Sequence, residues 1–123
     1  MNICKSLSIF VLLFCISCDT SLPSLEGIDK ERWENDKSAC NNVRNTMREA
    51  IDHEKEKLLS LNQTQIVRLL GRPDQNELST RNQKFFYYFI DPAPSCNAGA
   101  DSLAERLVIR FSAVGLATEV AIE

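Results

Sequence analysis

The thiols of Cys4, Cys15, Cys18, Cys40 and Cys96 have the widest chemical range of any side chains in this sequence. A thiolate can attack an acyl donor, ligate a soft metal or oxidise to a disulfide. Each role needs different company. A metal wants further Cys or His ligands, and the sequence holds one histidine, His53. On a continuous helix His53 would lie about 140° around from Cys40, so it cannot join a Cys40–Cys96 pair. Nucleophilic catalysis wants a base and an orienting acid beside the nucleophile. His53 stands alone, and the neighbouring Glu54 and Glu56 read as a solvated helix face. Four glycines, none clustered, make no phosphate-cradling loop. These residues argue against an enzyme and imply no metal and no cofactor.

Composition narrows the partners. The chain has 123 residues, 14 Lys and Arg against 17 Asp and Glu, and a formal charge of −3. Phosphate backbones and anionic lipid surfaces are bound through basic stripes, so no nucleic acid is expected. The length suits one domain with a tail.

The N-terminus differs from the rest. Lys5 precedes an apolar run, residues 7–16, interrupted by Ser8. About ten residues cannot span a bilayer, which needs roughly 20. The pattern is that of a secretory signal peptide. Its end, Cys15-Ile16-Ser17-Cys18, resembles a bacterial lipobox, with Cys15 where leucine is usual. The resemblance implies a signal peptide at 1–17, cleavage before Cys18, palmitate-type acylation of Cys18, and a flexible linker over 18–28. Several acyl chains make a stable anchor, so the lipid bilayer becomes a partner. Asp19 follows; in some enteric bacteria an aspartate here retains lipoproteins in the inner membrane. The expected address is the cell envelope, at the periplasmic face of the outer membrane ahead of the inner. Cleavage would remove Cys4 and Cys15 and lipid would occupy Cys18. Cys40 and Cys96 then remain, an even number in an oxidising compartment. They read as a disulfide closing a loop of about 55 residues, with two free thiols or a metal pair as the alternatives.

The elements that must position these residues follow from periodicity. Asp29 reads as an N-cap, with Ile28 and Trp33 spaced as a hydrophobic staple. At about 100° per residue, Trp33, Cys40, Met47, Ile51 and Leu58 fall on one stripe, with Val43 beside it. The pattern predicts a helix over 29–59, broken near Asn35 or at Asn41-Asn42. Trp33, Asp36, Cys40 and Arg44 share one side of it. Asp36 and Arg44 would serve backbone groups of the loop around Cys96, and a sharper reading makes Arg44 the lining of a ligand pocket. Residues 61–74, "LNQTQIVRLLGRPD", carry a capping box at Asn62 and Gln65, a staple at Leu61 and Ile66, and a stop at Gly71 and Pro73. Ile66, Leu69 and Leu70 form the expected buried face.

The period then changes to two. Residues 76–80 read as a weak strand and residues 84–90 as a strong one, with a loop over 91–102. Residues 106–111 and 116–123 pair as a hairpin. Leu116, Thr118, Val120 and Ile122 are expected inward, and Ala117, Glu119, Ala121 and Glu123 outward. In the aromatic strand both faces are apolar: Phe86, Tyr88 and Ile90 on one, Phe85, Tyr87 and Phe89 on the other. One face packs on helices. The other is covered by the loop or exposed as a binding patch.

From Leu58 to Ile122 the chain resembles the SmpA/OmlA domain, also called BamE-like, of small bacterial lipoproteins. The capped helix ending at Gly71 and Pro73, the aromatic strand with Phe86 and Tyr88, and the terminal hairpin occupy matching places. Ser60 and Leu61 stand where the family often has Gly-Met. Residues 33–47 have no clear counterpart in its short first helix. The resemblance implies an α+β two-layer sandwich over 29–123, a helical pair on a three- or four-stranded antiparallel sheet. It also implies a non-catalytic envelope role, such as outer-membrane protein assembly, with an envelope protein as partner. Phe85, Tyr87 and Phe89, with the loop over 91–102 and with Arg44, are the expected contact residues. A ligand-binding or inhibitor-type domain using the same sheet is the alternative, and a purely structural lipoprotein a third reading.

Overall fold

A computed structural model describes residues 21–96 and 103–123. The lipobox, Cys18 and part of the loop after the aromatic strand lie outside the described residues. Helices α1 (Lys30–Asn35), α2 (Arg48–Glu54) and α3 (Gln63–Leu70) precede strands β1 (Gln75–Leu78), β2 (Lys84–Phe89), β3 (Arg106–Phe111) and β4 (Ala117–Ile122). The strands form one antiparallel sheet in the order β1-β2-β3-β4. Helices cover one side of it, which makes the α+β two-layer architecture the sequence implied.

The helical layer is more broken than its stripe suggests. The Asp29 side chain caps α1 by accepting from the Arg32 amide at 3.2 Å. The α-helix ends at Asn35, and a distorted 3₁₀ turn, Lys37–Ala39, interrupts it before the chain winds again from residue 43. Ser38, Ala39 and Asn42 take positive φ angles of 57°, 55° and 62°. The cause is Asp36. Its carboxylate accepts from the amides of Asn41 and Val43, each at 2.8 Å, and of Arg44 at 3.0 Å. A short acidic side chain thereby offers these amides a partner that helix carbonyls would otherwise be. Two tight 3₁₀ turns, Arg44–Met47 and Lys55–Leu58, flank α2. Trp33, Met47, Ile51 and Leu58 still reach the core, whereas Cys40 sits exposed on the interruption.

Helix α3 follows its sequence closely. Asn62 Oδ1 accepts from the Gln65 amide, and Gln65 Oε1 accepts from the Asn62 amide, both at 2.9 Å. Ile66 and Leu70 are fully buried and Leu69 packs at the margin. Gly71 ends the helix at φ 77° and ψ −172°, a region essentially restricted to glycine. An added Cβ there would come within 2.6 Å of Glu34 Cγ.

Inward residues of the sheet are Phe86, Tyr88 and Ile90 from the β2 segment and Leu107, Ile109 and Phe111 from β3. Phe86 meets Phe111 edge-on at 4.8 Å. The parity of β4 differs from expectation at its start. Arg110 pairs with Glu119 but Phe111 pairs with Ala117, so Thr118 is an extra, bulged residue. Ala117 therefore turns inward and is buried, while Leu116 and Thr118 are exposed. Val120 and Ile122 beyond the bulge pack on the core as expected. The displaced start of β4 is held by the chain before α3. The Ser60 amide donates to the Ala117 carbonyl and the Ala117 amide to the Leu61 carbonyl, both at 2.8 Å.

Gly71→Ala should lower stability in urea unfolding by about 1–3 kcal/mol, from strained backbone and the Glu34 contact. Gly115→Ala, where an added Cβ meets nothing within 4 Å, should lose less. Equal losses would mean that Glu34 does not crowd Gly71.

Candidate partner-binding face and its buried clamp

Arg44 and Asp74 form the most demanding interaction among the described residues. Their side chains are 1% and 3% exposed, and Arg44 Nη1 lies 2.5 Å from Asp74 Oδ2. Neither charge depends on the other alone. Arg44 Nε donates to the Trp33 carbonyl at 2.9 Å, and Nη1 donates also to the Phe89 carbonyl at 3.2 Å. The guanidinium lies 5.0 Å from the Trp33 ring centroid, in cation–π range. Asp74 accepts from the Ser38 amide at 2.9 Å and from the Phe89 amide at 2.8 Å. The pair thus joins α1, the interrupted turn, the entry to β1 and the end of β2. Arg44 is neither a pocket lining nor an accessible contact, and its partners are not the loop around Cys96. It is consumed inside the fold. Asp36 likewise serves its own turn.

Cys40 and Cys96 meet as a disulfide with Cα atoms 5.3 Å apart. The Ala93 amide donates to the Ser38 carbonyl at 2.9 Å beside them. Phe89, Ala39 and Ala93 make a second small buried cluster there, flanked by Cys96 and Ala104. The link spans 56 residues of sequence and constrains the unfolded chain by about 4 kcal/mol in the chain-entropy description. It ties the turn after α1 to the loop after β2, as expected, though that turn is a distorted 3₁₀ turn and not part of a continuous helix.

The face of the sheet away from the helices carries the aromatic patch. Pairing aligns Glu77, Phe85, Arg110 and Glu119 in one row, and Gln75, Tyr87, Val108 and Ala121 in the next. Phe85 and Tyr87 stack with centroids 6.2 Å apart and planes 7° apart. The Arg106 guanidinium covers the Tyr87 ring at 4.1 Å, and the Tyr87 hydroxyl donates to Glu77 Oε2 at 2.9 Å. Phe85 remains half-buried, while Phe89 is buried against Ala39 and Ala93 beside the disulfide and only borders a groove of about 460 Å³ with Pro94, Leu103 and Arg106. Of the three expected contact aromatics, Phe85 is thus the accessible one, Tyr87 shows an edge and Phe89 is covered. A shallow pocket of about 90 Å³ opens beside Phe85, Val108, Arg110 and Glu119. Arg48 and Glu105 brace the far edge of the loop through Nε–Oε2 at 2.5 Å and Nη2–Oε1 at 3.1 Å.

His53 is exposed on α2. The Glu54 carboxylate pairs with Lys57, and that bond holds it below the ordinary carboxylate range. Glu56 is exposed. Sequence reasoning missed Asp74, which read only as the residue after a helix stop. The available signal was an acid placed immediately before a strand, in a chain with a buried-side arginine to match.

Neither a family model, nor a curated protein, nor a solved structure matches this chain.

Arg44→Ala leaves Asp74 charged and buried, and should reduce unfolding free energy by about 3–5 kcal/mol in urea titration. Arg44→Met with Asp74→Leu should lose less than the two single losses together. A loss below about 1 kcal/mol for Arg44→Ala, the scale of an exposed pair, would contradict this burial.

Tyr87 and Tyr88 are the two tyrosines of the chain, so its tyrosinate absorbance reports on them alone. Burial, and then the Glu77 bond and charge, push the Tyr87 hydroxyl above its ordinary range. Burial pushes Tyr88 higher still, with Asp74 adding, while its hydroxyl donates to the Gly71 carbonyl at 2.8 Å. A raised phenol pKa means stability is full below the unfolded value of about 10 and is lost as pH rises above it. The rise in absorbance at 295 nm should therefore come at higher pH in the folded protein than in denaturant, its last part together with unfolding. In denaturant both should ionise near about 10. One tyrosine ionising near 10 in the folded protein would place its hydroxyl free in water.

Proposed function

We propose that this protein is a non-catalytic binding module of the bacterial envelope, acylated at Cys18, that presents the outer face of its sheet to an envelope protein. The reading joins the lipobox-like residues 15–18 with the SmpA/OmlA-like order of capped helix, aromatic strand and hairpin. The Cys40–Cys96 disulfide suits an oxidising compartment. The observation that carries it is the Phe85–Tyr87 stack on the outer face, framed by Arg106 and Arg110. Aromatic and arginine side chains are enriched at protein interfaces, and the rings contribute large contact area with little rotamer freedom to lose. The surrounding charges are balanced: Arg110 pairs with Glu119 at 3.3 Å, and Glu77 holds Tyr87. Such a rim selects a partner by register more than by net charge.

A photo-crosslinking side chain at position 85 in living cells tests the reading. A discrete protein adduct is expected there, and none from the same group at exposed Glu49 on α2. Equal labelling at both positions, or none at 85, would contradict the assignment. Cys18→Ser should abolish acyl labelling and membrane association; retained labelling would mean that another residue carries the lipid.

A further inference from the structure

We infer that the free edge of β1 receives an extended, acidic-ended segment of a partner protein, added to the sheet as a further strand. The inference rests on the binding-module reading above, whose partner it gives a form, and not on the acylation of Cys18. The two edges of the sheet are unequal. At the β4 edge the Thr118 bulge breaks the strand, and Ser60 and Leu61 take both main-chain groups of Ala117. Glu119 and Glu123 are exposed along the rest of it. Bulges, charges and covering chain are the usual ways of closing a sheet edge. The residues of β1 are all exposed, Leu78 by 70%, with no proline and no lysine among them. Its one charge, Glu77, is turned onto the Tyr87 hydroxyl. The pairing shows which main-chain groups are left over. The Ser79 amide donates to the Gln83 carbonyl at 2.7 Å. In steps of two along the register, Glu77 and Gln75 then turn their main-chain groups to Phe85 and Tyr87. Those of Asn76 and Leu78 point outward, and no chain among the described residues pairs with them. An added strand supplies their partners.

Charge around this edge selects the segment. At the N-terminal end of β1, Lys37 and Arg72 border a groove of about 590 Å³ with Glu34, Val67 and Asp74. At the other end, Arg81 stands in the turn closed by the Asn82 amide on the Ser79 carbonyl at 3.2 Å. Lys37, Arg72 and Arg81 are exposed, and among the described residues none of them makes an ion pair. The neighbouring acids are already engaged: Glu34 with Lys30 at 3.4 Å, Asp74 with Arg44, and Glu77 with Tyr87. A segment carrying carboxylates at both ends therefore meets an unpaired cation at each end of the strand. A second copy of this chain does not match the edge. Antiparallel pairing of β1 with itself, joining Asn76 to Leu78, sets the two Glu77 side chains opposite each other. It also carries Arg72 toward Arg81 across the seam, and like charges facing across strands are destabilising. Side chains of the added strand on the outer face would lie beside Gln75 and Glu77, next to the Phe85–Tyr87 stack. The edge and the aromatic patch thus make one continuous surface.

The test uses the full chain in neutral detergent and a fluorescent octapeptide, alternating threonine and valine with two aspartates at each end. Anisotropy should report binding, and amide exchange should slow at Asn76 and Leu78. The same peptide N-methylated at its central amides should bind at least tenfold more weakly, and one ending in lysines several-fold more weakly. Lys37→Glu combined with Arg72→Glu and Arg81→Glu should reverse the preference between the aspartate and lysine peptides. Asn76→Pro removes only an outward donor, so it should abolish binding and leave the urea midpoint in place. No binding at millimolar peptide, equal binding of the methylated peptide, or slowed exchange only at other amides would overturn the inference. Slow exchange at Asn76 and Leu78 that grows with protein concentration, with a dimer in sedimentation and no peptide present, would put a second copy on the edge and overturn it too. Crosslinking at position 85 is scored separately. Peptide bound at β1 with no adduct at 85 removes only the outer-face contact, whereas an adduct at 85 with no peptide binding removes only the added strand.

Discussion

A buried arginine–aspartate pair organises the structure. Charges as enclosed as Arg44 and Asp74 are tolerated only when their remaining hydrogen-bonding positions are filled. Here main-chain groups of Ser38, Trp33 and Phe89 fill them. Those groups belong to three separate stretches of chain, so satisfying the two charges fixes how the stretches meet. The pair takes both the amide and the carbonyl of Phe89, and so sets the position of the end of β2. The alternation of β2 then carries Tyr87 and Phe85 to the outer face.

The interrupted turn after α1 follows from the same demand. Arg44 reaches inward because Asp36 gathers three amides and bends the chain before it. The left-handed residues Ser38, Ala39 and Asn42 accompany that bend, each costing on the order of 1 kcal/mol or more. The Cys40–Cys96 disulfide and the Ser38–Ala93 hydrogen bond close the turn onto the loop after β2. Stability near the aromatic face is therefore covalent and electrostatic as well as hydrophobic. The inner face relies on Trp33, Ile51, Leu58, Ile66 and Leu70, packed against Phe86, Tyr88 and Ile109.

Much of this was legible in the sequence, and the reason is local. The capping box at Asn62, the glycine stop at Gly71, the period-two strands and the inward set Phe86, Tyr88 and Ile90 each depend on neighbours within a few positions. The cysteine pairing was legible through parity. What escaped depends on distant partners. Periodicity placed Cys40 on a helical stripe because it cannot register a side chain that captures backbone amides, as Asp36 does. Alternation mis-set Leu116, Ala117 and Thr118 because a bulge opposite Arg110 and Phe111 has no local signature. Arg44 drew attention as a ligand or contact residue, but its partner Asp74 lies 30 positions away. The aromatic strand showed that both its faces are apolar. It did not show that Phe89 packs on Ala39 and Ala93 beside the disulfide while Phe85 stays open.

The organising role of the pair has a direct test in amide hydrogen exchange of the wild-type chain and of Asp74→Asn, followed residue by residue. If Asp74 holds the turn to the strand, the amides of Ser38 and Phe89 lose protection together and far more than those of Ile66 or Ile109. The Arg44 Nε–H, bonded to the Trp33 carbonyl, should exchange slowly in the wild type and faster in the variant. Unchanged protection at Ser38 and Phe89, or a uniform loss across the whole domain, would contradict the claim that this ion pair joins the turn to the aromatic strand.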